Sequence, residues 1–551
     1  MKSKWIAAPA VAGLVFAAGT FVCMHDSHAA AAATPPYLSQ FPSFNPALTT
    51  QLPGDVDVAI KKRLESEKKF PEVQRLFDLW SWQAFIALNW PVNNQGQFAP
   101  KLSDVGFGAP KWTTWYESPT IFRQDGGVPA ACAKPPAAMA LSVTHEANLP
   151  VGRDLKAFNV AQDFDKRKTR LLGVISAVGE TTPATLAGDK SARPDKLNDI
   201  LQAFTAPLID QNGNFVFYEI EIDPNEVGYI CTNKLYNIQG QVAFTGGNKN
   251  KAADLPRGSD HRDGSGAWEL KFAWRVLTAG DDKSRFLTSD ALVPTSNGKC
   301  PVDSKPQDGQ CAVTVGLVGM HIGHKTDSSP QWIWSTFEQV DNLAVDNVAH
   351  PKLKPSFFDP NCPTCVPNQP PTQASDGTWS SSPPTQAWRA IPIPADKVAL
   401  NDEASVALAR ANSALRYYEL IDAQWPTEPS AKPTPPSAGL PGAIENKPGG
   451  NPTPVFLTNI TMETYFQQGV QPACQQEEGI AVCPAGQWLS EKQKDANPPP
   501  DTTSVFASES CMGCHSSAGL YVTDTTKSGQ LEGDFSWLFT QKAHLAKTPK
   551  Q

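Results

Sequence analysis

The chain has 551 residues, 40% hydrophobic and 19% charged, and this composition excludes an intrinsically disordered protein. Its 47 basic and 55 acidic residues give a net charge of -8, which leaves no basic surplus for phosphates, so nucleic-acid binding is not expected. The 50 prolines exclude long helical repeats and coiled coils, and they predict a fold rich in loops.

The N-terminus carries the pattern of an export signal. Lys2 and Lys4 precede an uncharged run over residues 5–22, and a row of alanines follows over 29–33. This order is typical of a secretory signal peptide, so we predict one over residues 1–30. An uncleaved anchor is the alternative, since a run of 18 residues just spans a bilayer. No other segment has 18 consecutive apolar residues, so we predict no membrane span in the mature chain and expect it in the bacterial periplasm.

The first helices are predicted from hydrophobic periodicity. Between residues 55 and 90, apolar side chains recur every three to five positions after Pro71, a favourable first-turn residue. This spacing predicts a helix with a wide aromatic face. A further helix is predicted over about residues 195–204.

The middle of the chain, about residues 140–345, is predicted to be mostly β. Residues 215–222 alternate between apolar and polar side chains, and the turn sequence Asn212-Gly213 precedes them. Three further strands are predicted from segments rich in Val, Ile, Phe and Trp: 268–276, 312–321 and 331–340.

Two histidines lie near the end of the third of these strands. His321 and His324 are three positions apart and are therefore predicted to face opposite sides of the sheet. His321 is expected to share its face with Val315 and Leu317 and to point inward, as a core residue, a catalytic acid or an iron ligand. The next strand carries three side chains that either wall a pocket beside His321 or belong to the core: Trp332, Trp334 and Glu338.

The cysteines are consistent with export. Ten remain after Cys23 leaves with the signal peptide, as an oxidising compartment favours. The CxxC sequence at Cys362 and Cys365 is followed by three prolines within six positions, so no helix can stabilise a thiolate and we predict an inert loop disulfide. Spacing suggests two short disulfides and one longer closure: Cys300–Cys311, Cys474–Cys483 and Cys132–Cys231.

The later chain alternates between proline-rich segments and helices. Residues 359–394 and 425–454 carry nine prolines each and are predicted to be a loop and a linker. Between them, residues 402–424 show a helical stripe. Two short helices are predicted last: about 455–468, which carries Met462, and about 535–546.

The motif with the clearest chemistry lies near the C-terminus. Residues 511–515 read Cys-Met-Gly-Cys-His, the sequence to which a c-type haem is attached. The thiols are spaced to add to the two vinyl groups of the porphyrin, and the next residue, His515, is placed to bind the iron. A disulfide or half of a zinc site is the alternative. The export signal favours the haem, because this attachment takes place outside the bacterial cytoplasm.

Over residues 511–520 the chain resembles the c-type cytochromes. The resemblance implies one covalent haem c held through Cys511 and Cys514, with His515 as the proximal iron ligand. It does not imply the standard small cytochrome c fold, which places a methionine ligand after the motif, because no methionine follows His515 here. The whole chain is also similar to large exported bacterial proteins of the cytochrome c family, from which no reaction is carried over.

The sixth iron ligand is left open by the sequence. Met462 is one candidate, and a thioether ligand would raise the reduction potential and suit electron transfer. His321 is a candidate as a ligand or as a distal acid. His544 is the only histidine that follows the motif.

The chain places about 480 residues between the signal peptide and the motif, far more than an electron shuttle needs. We therefore expect a periplasmic haem oxidoreductase that acts on a small substrate or oxidant, with His321 as a candidate catalytic residue. The alternatives are an electron-transfer subunit that docks on a partner oxidoreductase through an acidic surface, and a haem sensor without turnover. An electron donor or acceptor protein is the expected partner.

Together these elements predict an α+β fold, with a β-rich central body between helical N-terminal and C-terminal parts. Four segments are expected: the signal peptide 1–30, a helical start plus β-rich body 31–358, proline-rich loops flanking one helix 359–454, and a C-terminal haem-binding region 455–551.

Overall fold

A nine-stranded sheet forms the centre of the protein. Its longest strand, β7 (Gln310–His324), lies between β4 (Trp268–Leu277) and β8 (Ile333–Gln339), both antiparallel to it. The other strands are β1 (Tyr116–Glu117), β2 (Thr169–Leu171), β3 (Phe217–Ile222), β5 (Thr288–Pro294), β6 (Lys305–Gln307) and β9 (Tyr418–Gln424). The main order is β9-β8-β7-β4-β3-β1, while β5 and β6 pair with β7, and β2 pairs with β5.

The computed structural model describes residues 48–133, 169–172, 206–248, 251–258, 265–294, 300–307, 310–362, 364–375, 379–389, 392–427, 458–466, 475–477, 480–482, 511–515, 518–527 and 533–546. These residues belong to one compact unit, Pro42–Gln551. Four predictions lie wholly or mostly outside them: the signal peptide, the helix over 195–204, the linker over 425–454 and the disulfide Cys474–Cys483.

Helices lie on both faces of the sheet. They are α1 (Val58–Ser66), α2 (Phe70–Leu88), α3 (Pro224–Asn233), α4 (Ile238–Thr245), α5 (Ala395–Arg410) and α6 (Cys511–His515), with single turns at Ser118–Ile121, Ala130–Ala133 and Leu538–Gln541. Short 3₁₀ turns occur at Lys111–Thr114, Lys283–Arg285, Ala414–Tyr417 and Thr464–Phe466. Small two-stranded pairs join Pro91–Val92 to Ala109–Pro110, and Gln475–Glu477 to Ile480–Val482. Among the described helices, none has the length and apolarity to cross a membrane.

These elements confirm the α+β fold and the β-rich body. The four predicted strands, one from alternation and three from their content of Val, Ile, Phe and Trp, are found as β3, β4, β7 and β8. The predicted helix over 55–90 is two helices, α1 and α2, because Pro71 cannot donate a backbone hydrogen bond and its ring would clash with the carbonyl four residues earlier. The chain turns between them at Lys68, whose φ is 56°.

Helix α2 packs its aromatic side chains on one face of the sheet. Phe85 stacks on Phe337 with ring centroids 4.2 Å apart. Ser81 and Ser335 share a hydrogen bond of 2.6 Å between their hydroxyl oxygens. This face of the sheet is therefore closed by the N-terminal helical part, while α3, α4 and the C-terminal segments pack on the opposite face, in the cluster that contains Trp334.

The predicted helix over 402–424 is wrong in its second half. Helix α5 ends at Arg410, and Asn412 has a φ of 52°, a left-handed conformation that Asn tolerates and that ends helices. The following Tyr418–Gln424 is strand β9, which pairs with β8. The helical stripe was not decisive, because the apolar residues of 418–424, including Tyr418 and Ile421, also fit a strand at the edge of a sheet.

Two other helix predictions are longer than the elements found. In place of the helix over 455–468, the described part shows a turn that includes Met462 and then the 3₁₀ turn Thr464–Phe466. In place of the helix over 535–546 there is one turn, Leu538–Gln541. Phe535 is itself left-handed, with a φ of 68°, so a helix cannot begin there.

Disulfides join distant parts of the described chain. The predicted pairs Cys300–Cys311 and Cys132–Cys231 are both confirmed. Cys362 and Cys365 are bonded to each other, which confirms the predicted loop disulfide. The longest closure ties the helical turn Ala130–Ala133 to α3, beside the C-terminal elements.

Candidate functional site

The sheet face opposite α2 carries a row of polar side chains. Lys271 on β4, His321 on β7 and Thr336 on β8 are direct cross-strand partners. The adjacent row consists of Glu269, Gly323 and Trp334. Because cross-strand partners point to the same side of a sheet, these two rows form the floor of the candidate site.

A β-bulge sets the direction of His321. Gly319 pairs with Ala273 and Leu317 pairs with Trp274, so Val318 is an extra residue on β7. The expectation that His321 shares a face with Leu317 is therefore wrong, since the bulge reverses the alternation between them. The prediction that His321 and His324 face opposite sides is confirmed, because His324 stacks with Trp268 under α2.

His515, at the end of α6, lies against this floor. Its ring centroid is 4.3 Å from that of Trp334, with the rings tilted by 45°. The helix is fixed at its other end by Met512, whose backbone N–H donates to Gln424 Oε1 at 2.8 Å. The Met512 side chain is buried in the same hydrophobic cluster as Trp332 and Trp334. Strands β8 and β9 thus position the whole motif.

The two ring nitrogens of His515 have different surroundings. Nδ1 lies 2.8 Å from the carbonyl oxygen of Phe535, which can only accept, so Nδ1 carries the proton and donates. Among the described residues, none bonds to Nε2. This arrangement selects the tautomer whose Nε2 lone pair is free for a metal, as in metal-bound histidines generally.

The surroundings keep His515 neutral. Its side chain retains some accessible surface, but the protein atoms around it displace enough water to lower its pKa to about 4. The nearby Lys271 and His321 act in the same direction, while the hydrogen bond to Phe535 and the charge of Glu463 oppose it. A neutral imidazole is the form that binds iron.

A short loop over residues 533–536 presents the Phe535 carbonyl. Both Asp534 and Phe535 have left-handed backbones, with φ values of 52° and 68°. Such conformations cost energy in residues other than glycine and persist where the surroundings fix them. Here the Asp534 carbonyl accepts from Trp332 Nε1 at 3.0 Å, and its carboxylate binds Lys325. Sequence reasoning missed this loop, because no local pattern predicts left-handed Asp and Phe.

His321 is held by two side chains. Thr336 Oγ1 lies 2.8 Å from Nδ1, and Glu463 Oε1 lies 2.9 Å from Nε2. With Glu463 ionised, Nε2 carries the proton and Thr336 donates to Nδ1. Both nitrogens are therefore engaged, which suits a residue that holds or moves a proton better than one that binds iron.

Glu463 was not singled out from the sequence, although it follows Met462 directly. The segment 459–463 lies on the sheet where Gly319 leaves room, since a Cβ there would stand 2.1 Å from Thr461 Oγ1. Glu463 Oε2 accepts from the backbone N–H of Asn459 at 2.8 Å, which fixes the carboxylate. The fold, rather than the local sequence, brings Glu463 to His321.

Met462 is fully buried in a hydrophobic cluster with Tyr218 and Val318. Met512 belongs to the other cluster, with Trp334. The structure therefore does not bring Met462 and the motif together in one cluster. Of the motif cysteines, Cys511 packs against the cluster of Met512, whereas the Cys514 side chain lies outside the described part.

A separate group of carboxylates lies on β1 and β3, at the end of the main strand order opposite β9. Glu117, Glu219 and Glu221 have oxygens within 4.8 Å of one another among the described residues. Glu219 already accepts from Trp274 Nε1 at 3.0 Å. Among the described residues, this cluster has the arrangement that most resembles a cation site. At least one of its carboxylates, that of Glu219, also forms a hydrogen bond within the sheet.

Comparisons with protein-family models, curated proteins and solved structures found no match. Function must therefore be argued from the site itself. The fit of a c-type haem rests on the donor set: two cysteines followed directly by a neutral histidine, whose Nδ1 donates to the fixed Phe535 carbonyl and whose Nε2 has no partner among the described residues. These residues suit the group that the motif predicts.

Proposed function

We propose that the chain is an exported, periplasmic haem c protein that acts as an oxidoreductase on a small substrate or oxidant. Cys511 and Cys514 would hold one haem through thioether bonds, and His515 would bind its iron from the proximal side. A haem held in this way supplies an iron that exchanges single electrons and, where its second axial position is open, binds small molecules.

The observation that carries the proposal is the hydrogen bond from His515 Nδ1 to the Phe535 carbonyl. It orients the imidazole, leaves Nε2 free and increases the basicity of that nitrogen. Burial keeps the ring unprotonated at neutral pH. Two unusual backbone conformations, at Asp534 and Phe535, maintain this one acceptor.

The assignment to an enzyme rests on the pair His321 and Glu463. Both groups, together with Lys271, exert an electrostatic effect on His515, so they lie near it. His321 Nε2 donates to Glu463, so the pair can pass a proton to a bound molecule through the Glu463 carboxyl, and His321 then takes up a proton from solvent. Lys271 adds a positive charge beside them, which favours an anionic or strongly polar substrate.

Two measurements test the proposal. Protein exported by a host that attaches haem c should give the pyridine haemochrome spectrum of a covalent haem after denaturation. We expect Cys511→Ala to lower the haem content and Cys511→Ala/Cys514→Ala to abolish it. The matched control is Cys362→Ala/Cys365→Ala, which removes the other CxxC sequence and should retain haem. Equal haem content in both double variants would contradict the attachment site.

The spectrum of the ferrous protein distinguishes the enzyme from an electron carrier. A high-spin ferrous state that binds carbon monoxide readily is expected for an open axial position. A low-spin state inert to carbon monoxide would contradict the enzyme assignment and favour the electron-transfer subunit, with Met462 or His321 as the sixth ligand. A partner protein that donates or accepts electrons is expected in either case.

A further inference from the structure

A pair of carboxyl groups, one fully buried and one partly buried, lies beside the loop that holds His515. Glu226 on α3 is fully buried, and neither carboxyl oxygen has a hydrogen-bond partner of ordinary geometry among the described residues. Glu269 on β4 lies against it, and its Oε1 also lacks such a partner in the described part of the chain. Ionised carboxylates only accept hydrogen bonds, so two of them cannot satisfy each other.

The surroundings make two negative charges there unfavourable. The largest electrostatic influences on Glu226 come from groups that are themselves acidic. Among the described residues, the buried cation close by is Lys325, which is already bound by Asp534 and Asp254. Several charged groups surround the pair. They are Asp223, which caps α3; Asp254 and Arg257 in the loop before β4; Lys325, directly after β7; and Asp534 in the loop over 533–536.

A shared proton resolves this conflict. Burial raises the pKa of Glu269 to about 7, and burial together with the charge of Glu269 raises that of Glu226 well above its usual value. When one group is protonated, its hydroxyl donates to the other, and two of the three unpartnered oxygens become paired. This geometry favours a pair that shares one proton and can accept a second.

Two connections join this pair to the proximal histidine. The Ser536 hydroxyl lies close enough to Glu269 to lower the pKa of that carboxyl, and Ser536 directly follows Phe535, whose carbonyl accepts from His515. Glu269 also lies in one cross-strand row with Trp334, whose ring contacts His515. A change of charge at the iron would therefore act on the pair through a short stretch of buried protein, where screening by water is weak.

We propose that Glu226 and Glu269 form a proton-binding site coupled to the redox state of the haem. This inference rests on the proposed function. When an external one-electron donor reduces the iron, one proton from solvent binds the carboxylate that is still ionised, so the buried charge is unchanged. Oxidation reverses both transfers and returns the proton to solvent. The carboxyl pair thus makes electron entry pH-dependent.

The test is a redox titration of the purified holoprotein, followed by its visible spectrum at several pH values around neutrality. The midpoint potential should fall as the pH rises. If one proton binds for each electron, the equilibrium constant for reduction falls tenfold per pH unit, which is a limiting slope of about 59 mV per pH unit. In Glu226→Gln and Glu269→Gln the amide donates to the remaining carboxylate, so the slope should be lost. The matched control Glu72→Gln, at the start of α2 on the other sheet face, should keep it.

A flat potential in the unaltered protein, or the same slope in both Gln variants, would overturn the coupling while leaving the haem intact. An infrared band of a protonated carboxyl at neutral pH gives a readout that needs no haem. We expect it to be lost in both Gln variants and kept in Glu72→Gln, and its absence from the unaltered protein also overturns the proposal. If the exported protein carries no covalent haem, the proposed function is contradicted. The infrared band then still shows whether Glu226 and Glu269 share a proton.

Discussion

The histidines on the two faces of the sheet differ in their burial and in their hydrogen-bond partners. His324 is fully buried under α2, with its ring 3.7 Å from that of Trp268 and both nitrogens at hydrogen-bonding distance of backbone carbonyls, at 2.9 and 2.5 Å. His321, three residues earlier, keeps 19% of its side chain exposed and bonds to the side chains of Thr336 and Glu463.

We interpret this contrast as that between a structural histidine, His324, and the histidine to which the proposed function assigns a role, His321. Backbone carbonyls do not move protons, whereas a carboxylate and a hydroxyl can exchange them with a bound molecule. Aromatic stacking fixes His324 as part of the core. The face of His321 instead collects Lys271, Glu463 and His515, groups whose charge depends on protonation. We therefore assign stability to one face and chemistry to the other.

The largest expected effect is on reactivity. His321→Gln should slow the reaction of the ferric protein with hydrogen peroxide by about 10²- to 10⁴-fold, because the positioned acid–base group is lost. Stopped-flow absorption of the haem measures this rate. His350→Gln is the control, since His350 bonds to Arg285 outside the site, and its rate should be unchanged. Equal rates in both variants would remove the functional role of His321.

The next effect is on stability, from the α2 face. Trp268 is fully buried and stacks on Trp80 and His324. Trp268→Ala should lower the free energy of unfolding by about 3–5 kcal/mol, through lost contacts and a cavity. Urea unfolding followed by circular dichroism measures this loss. The peroxide rate of the folded variant should change little, and a rate loss as large as that of His321→Gln would contradict the division between the faces.

A smaller effect, on both stability and reactivity, is expected at Gly319. In Gly319→Ala the new Cβ would stand 2.1 Å from Thr461 Oγ1 and 3.0 Å from Asn459 Oδ1, so the segment that carries Glu463 must shift. We expect a loss of about 1–3 kcal/mol in urea unfolding and a slower peroxide reaction. Gly280→Ala is the control, because its Cβ would meet only Thr278 Oγ1, at 3.7 Å. Identical behaviour of the two variants would show that Glu463 is not positioned by this contact.

Much of the body of the fold could be predicted from the sequence. Alternation in 215–222 and the apolar, β-branched runs around Trp268 and Ile333 are local signals of strands, and the structure confirms them. The segment 418–424 was misassigned because its residue types fit both a helix and a strand, and only pairing with β8 decides between them. Tertiary context of this kind is not encoded in a local window.

The candidate site could be predicted only in part. The motif identifies Cys511, Cys514 and His515 because the attachment chemistry demands contiguous residues. Glu463 contacts His321, 142 positions away, and Phe535 contacts His515, 20 positions away. Phe535 contributes its backbone carbonyl, which every residue type has, so its side chain gives no signal in the sequence. Such partners become visible only when the chain is folded.

The most direct measurement is the intact mass of the exported protein under denaturing conditions. The account predicts a mass equal to the processed polypeptide plus one haem, and a shift back to the bare polypeptide in Cys511→Ala/Cys514→Ala. A colourless protein whose mass is that of the polypeptide alone, from a host that attaches haem to a control cytochrome c, would contradict the account.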